Sequence, residues 1–133
     1  MGRYAAVGLA QGRIAIGVVS FAAPEWTART LTGRRRADGA TSLFARMVGA
    51  RDIGLGLGTL IALGRGAPAR GWLEGSALVD SLDVAACLLA RDHMRASVFP
   101  GVIGLAAAGA LISAWLARQL DSPPPAESAH REA

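Results

Sequence analysis

Apolar residues gather into four long stretches, separated by segments rich in charge, glycine or proline. The pattern predicts helices over about residues 3–23, 42–63, 69–91 and 98–118. Pro24 closes the first, because proline lacks an N–H and restricts the residue before it. Thr41 or Ser42 is placed to cap the second by accepting a bond from its free amides. Gly64, Gly66 and Pro68 end it. A short turn at residues 92–96 follows the third, and Ser97 is placed to cap the fourth, with Pro100 in its tolerated first turn. From Phe99 to Leu116 no side chain is charged, which reaches the length at which a transmembrane reading becomes reasonable. Residues 25–41 show no apolar period and read as a polar connection holding Arg34, Arg35 and Arg36. The polar, proline-rich residues 120–133 read as a disordered tail. The fold class expected is all-α: a four-helix, up-and-down transmembrane bundle over residues 1–119.

Composition sharpens this picture. Hydrophobic residues make up 52% of the 133, glycines number 17, and mean hydropathy is +0.35. Small residues at this density suit helices that approach closely in lipid. Gly8 with Gly12 and Gly54 with Gly58 form two Gly-x-x-x-Gly pairs, read as packing faces. Tyr4, Trp26, Trp72 and Trp115 fall at expected helix ends, where amphipathic rings favour the headgroup level. Two rival readings stand beside this one. The first segment resembles a secretory signal, with Arg13 before an apolar run and a small-residue site near Ala22, though its charged start is unusually long. A soluble helical bundle is the other, since the second and third segments are weak spans.

All fourteen basic residues are arginine, and the net charge is +4. The arginines are spread along the chain without an aromatic-interleaved basic face, so the partner expected is a lipid bilayer rather than nucleic acid. The arginine-rich connections tip the orientation toward both termini outside the cytoplasm. A homo-oligomer or another membrane protein is the further partner expected. One cysteine, Cys87, excludes an internal disulfide, and neither His93 nor His130 belongs to a metal-binding spacing. Gly54, Gly56 and Gly58 lack the strand and lysine of a phosphate loop. No cofactor, metal or catalytic constellation is expected, and the chain reads as non-enzymatic.

Charges inside the apolar stretches are the candidate site. Arg46, Arg51 and Asp52 enter the second helix, and Asp80 and Asp83 lie in the third. Ser76, Asp80, Asp83 and Cys87 share one helical face by their three- and four-residue separations. An unpaired charge in hydrocarbon costs about 2.5–3.5 kcal/mol on insertion scales. Arg46 is close enough to its helix end to snorkel, whereas Arg51 is expected to reach Asp80 or Asp83 through its planar fork. Such pairs hold helices in register. The alternative is a polar cavity or a proton or ion route with Asp80 and Asp83 as carriers, in a small carrier or a lipid- or quinone-binding bundle.

The stretch Arg46-x-x-Gly49-Ala50-Arg51-Asp52, followed by Gly54, Gly56 and Gly58, resembles a stretch opening the second helix of small bacterial, often actinobacterial, four-helix membrane proteins. The run from Gly12 to Gly17 ending at Pro24, and the aspartate-bearing third helix, are similar too. Such families are domains of unknown function. The resemblance implies membrane location and helix count, and no reaction.

Overall fold

The computed structural model describes residues 2–33 and 35–120. Five α-helices follow one another: α1 (Gly2–Ala22), α2 (Pro24–Thr32), α3 (Gly39–Gly64), α4 (Arg70–Ala90) and α5 (Phe99–Leu120). A 3-10 turn, Arg91–His93, links the last two. Leu120, the first residue of the expected disordered tail, ends α5, and residues 121–133 lie outside the described residues.

The expectation of four helices needs correction, because α2 occupies part of the segment read as a polar connection. Proline at its first turn presets the helical backbone, and Glu25 accepts a bond from Arg29 at 2.9 Å one turn on. Its inward residues are Pro24, Thr27 and Ala28, none of them a large hydrophobe. That is why no apolar period marks it. Gly33 ends it in the left-handed region (φ 69°), its N–H donating to the Arg29 carbonyl. The cap of α3 also differs: Asp38, not Thr41 or Ser42, accepts from the Thr41 N–H at 2.7 Å.

The four long helices run alternately up and down. On α1 and α3, Gly17 faces Gly49 while Ala10 faces Gly56, so the two are antiparallel. Asp80 of α4 lies against Gly109 of α5, and Leu73 shares a buried cluster with Leu116. The pairs α1–α3 and α4–α5 pack most extensively, and α3–α4 and α1–α5 join them more lightly.

Inward positions recur at alternating spacings of four and three. They are Ala6, Ala10, Arg13, Gly17 and Ser20 on α1, and Ala45, Gly49, Asp52, Gly56, Thr59 and Leu63 on α3. Ala69, Leu73, Ser76 and Asp80 continue the pattern around α4. This 3.5-residue period is that of a left-handed helix bundle. The seam is built of small, polar and charged residues, with large apolar side chains only at the end holding Leu63, Leu73 and Leu116. Facing outward instead are Ile16, Val18, Phe44, Leu78, Leu82, Leu89, Leu105 and Leu111, among others. Helices α1, α3 and α5 are each long and apolar enough to cross a membrane.

The glycine pairs behave differently from the expectation. Gly8, Gly12 and Gly54 are exposed with open space where a Cβ would stand, so neither pair forms a packing face within the chain. Gly58 alone is covered, by the ring of Trp72. The glycines that permit close approach are Gly17, Gly49 and Gly56. A Cβ on Gly49 would lie 2.6 Å from the Gly17 carbonyl oxygen.

Gly49→Ala is therefore expected to destabilise the protein by about 1–3 kcal/mol, as overpacking does. Gly54→Ala should be neutral or stabilising by about 0.5–1 kcal/mol, since alanine is the better helix former. Thermal unfolding of the detergent-solubilised variants checks both, and equal midpoints would contradict the packing described.

Candidate buried charge network

Arg13, Asp52 and Asp80 occupy inward seam positions near the middle of α1, α3 and α4. They are buried, with relative exposures of 8%, 8% and 6%. Their side chains can meet because the neighbouring seam residues are small. Gly109, for example, leaves room on α5 for the Asp80 carboxylate, which a Cβ there would meet at 2.6 Å.

The Arg13 guanidinium bridges two helices at once. Its Nη1 donates to Asp52 Oδ1 at 3.1 Å, and its Nη2 donates to Asp80 Oδ2. Arg51 lies at the flank of the same layer. Its Nη1 and Nη2 donate to the two oxygens of Asp83, each at 2.9 Å, in the fork-on-carboxylate geometry arginine favours. Nη2 also reaches Asp52 Oδ1 at 3.3 Å. The five side chains thus form an alternating sequence, Asp80–Arg13–Asp52–Arg51–Asp83. Asp83 is partly open to the surroundings, whereas Asp52 is enclosed between two cations.

Four of the five residues singled out from the sequence meet here: Arg51, Asp52, Asp80 and Asp83. Arg51 takes Asp83 as its carboxylate on α4, and Asp80 goes to Arg13. Arg46 does not belong. It is exposed near the start of α3, with its guanidinium 5.8 Å from the centre of the Phe21 ring. Arg13 is the member that sequence reasoning misses, because an arginine ahead of an apolar run reads as its charged edge. The signal that finds it is the spacing Ala6, Ala10, Arg13, Gly17, Ser20, which places it on the inward seam. Cys87 is half-buried on α4, one turn beyond Asp83, and His93 is exposed.

Chemically, the arrangement can fix helices relative to one another and can hold or exchange a proton. Among the described residues no group of His, Cys, Asp and Glu is arranged to hold a metal ion. Around the layer the Nε atoms of Arg13 and Arg51 and the hydroxyl of Ser113 are buried without hydrogen-bond partners. At the apolar end, Arg3 Nη2 donates to the Leu63 carbonyl at 2.7 Å, which also accepts from the Gly66 N–H at 3.2 Å.

Arg13→Ala strips a partner from two buried carboxylates and is expected to cost about 3–5 kcal/mol, the range for breaking a buried pair. Arg46→Ala loses only an exposed cation–ring contact, about 0.5–1 kcal/mol. Unfolding midpoints in one detergent check the ranking, and a larger loss for Arg46→Ala would contradict this assignment.

No protein-family model matches the chain, and neither the curated proteins nor the solved structures give a match.

Proposed function

We propose that the chain is a small, multi-pass integral protein of the cell membrane, non-enzymatic, acting as a structural or partner-binding subunit. In this reading α1, α3, α4 and α5 form a four-helix transmembrane bundle, and α2 lies against one end. The observation that carries it is the inverted distribution of side chains. Large apolar residues face out along the helices, while the interior is lined by Gly, Ala, Ser, Asp and Arg. Contiguous outward apolar surface on this scale fits hydrocarbon rather than water. At 1.5 Å per residue, 21–26 residues extend roughly 32–39 Å, enough to cross a core of about 30 Å.

Helix α4 carries Glu74, Asp80 and Asp83, which weigh against it as a span when it is judged alone. Asp80 and Asp83 meet arginines, however, and Glu74 pairs with Arg70 near the helix end at 2.6 Å. The remaining surface of α4 exposes Leu78, Leu82, Leu88 and Leu89. Exposed Tyr4, Trp72 and Trp115 gather at one end of the bundle and Trp26 at the other, consistent with two interfacial belts. The resemblance carried by residues 46–58 points the same way. A soluble bundle would leave these leucines in water.

Gly8 and Gly12 face outward one turn apart with open space around them. They offer a close-approach surface to a helix of another copy or another membrane protein. A second reading, a small carrier with a charged interior, is favoured by Asp83, whose side chain is 37% exposed near the charged layer.

Carbonate washing should leave the protein in the membrane pellet, and recovery in the aqueous fraction would overturn the membrane reading. In the same preparation, Gly8→Leu with Gly12→Leu should give a folded protein of smaller assembly size by detergent-corrected light scattering. For the carrier reading, Asp83→Asn should abolish a proton-coupled flux in proteoliposomes while leaving insertion intact. Unchanged flux, or no flux in the parent protein, counts against it.

A further inference from the structure

The interior chain contains three carboxylates and only two guanidiniums. With every group ionised it carries one net negative charge near the middle of the helices. Among the described residues no other group nearby balances that charge. From α1 the group facing Asp80 is Arg13, and from α3 it is Asp52, which Arg51 contacts from its other side. On α4 itself, Asp83 lies within a turn, and Glu74 is exposed and occupied by Arg70. Helix α5 presents Gly109 and Ser113, and its first charged residue is Arg118, exposed near its end. The 3-10 turn with Arg91, Asp92 and His93 is exposed, about two turns past Asp83. A buried, unbalanced charge in a medium without water is the arrangement that proteins avoid by neutralising a titratable group.

We propose that this cluster is a proton-binding site, with one proton taken up from water onto the carboxylate of Asp80. The chain is then neutral in lipid. The hydrogen bonds select which acid holds the proton. Asp52 accepts from both arginines, so its anion is the best supported. Asp83 accepts from Arg51 through both oxygens and is partly open. Asp80 accepts from Arg13 through Oδ2 and is buried against Gly109, which leaves Oδ1 to carry the proton. A protonated carboxyl is also a donor, as an ionised one is not. On the same α4–α5 seam, one turn past Gly109, the wholly buried Ser113 hydroxyl has no partner. The α4–α5 seam therefore holds an unused hydroxyl oxygen able to accept a hydrogen bond. The inference rests on the membrane reading for its energetic force, but its test does not require that reading to hold.

The test is infrared spectroscopy of the purified full chain in phosphatidylcholine nanodiscs at neutral pH. A carboxylic-acid C=O band that shifts down in deuterated water is expected, and it should vanish in Asp80→Asn but persist in Glu74→Gln. No such band in the parent protein, or a band surviving Asp80→Asn, overturns the proposal. A band that falls with added sodium at fixed pH also overturns it, by showing a metal-cation site. Because the amide mimics a protonated acid, Asp80→Asn should keep the parent's thermal midpoint at neutral pH, while Asp52→Asn lowers it. An unfolded Asp80→Asn beside a folded Asp52→Asn would overturn the assignment. A protein that proves water-soluble can be measured in buffer, so failure of the membrane reading is distinguishable from absence of the proton.

Discussion

Three aspartates can lie inside this bundle only because each meets a guanidinium, and that constraint shapes the interior. Aspartate is short, so helices carrying it must approach closely before an arginine from a neighbour can reach it. Gly17, Gly49 and Gly56 bring α1 and α3 to backbone contact, and Gly109 brings α5 onto Asp80. The consequence is a seam that buries little apolar area. Only around Leu63, Leu73 and Leu116 do larger side chains fill the interior. Such an interior would serve poorly as the hydrophobic core of a water-soluble domain. In lipid, where helices associate through packing and hydrogen bonds rather than exclusion of water, it is a workable one.

The two arginines divide the task unequally. Arg13 lies between Asp52 and Asp80 and so ties α1, α3 and α4 together from the centre. Arg51 ties α3 to α4 from the flank, through a two-bond contact with Asp83. Helix α5 has no part in the charge chain and is held by small-residue contact with α4 and by Leu116. Replacing buried ion pairs by apolar residues is often neutral or stabilising. Their value here lies in register: sliding α3 by one residue would turn Asp52 away from Arg13 and Arg51 away from Asp83.

The outer surface was legible in the sequence and the inner one was only partly so. Long apolar stretches bounded by proline and glycine located the four long helices within a few residues. Asp80 and Asp83 were conspicuous because carboxylates interrupt a run of leucines. Arg13 was not, because an arginine ahead of an apolar run reads as a boundary, and only the small residues at 3.5-residue spacing reveal the seam around it. The same inversion misdirects the glycine motif. Gly8, Gly12 and Gly54 have the right separation but lie off the seam, whereas Gly17, Gly49 and Gly56 lie on it. Helix α2 was hidden for a related reason, since Thr27 and Ala28 are buried without being large. A pattern of large apolar residues locates the outward face of each helix, and here that face is not the packing face.

Helix α4 shows why the inversion matters for assembly. Counted residue by residue, its carboxylates argue against a membrane span, yet that count treats the helix as if it entered alone. Helices α1 and α3 precede it in the chain and together hold two arginines against one aspartate in the buried layer. They present a net positive interior to a helix that brings two negative groups. The connection from α3 to α4 is short, and the two are antiparallel, with Arg51 opposite Asp83. In the proposed membrane reading, an α3–α4 hairpin would enter with its charges already facing each other, and Arg13 of α1 would complete the set. Whether a helix can cross a bilayer is then a property of the helices it meets, and under that reading the arginines on α1 and α3 are what would make α4 admissible.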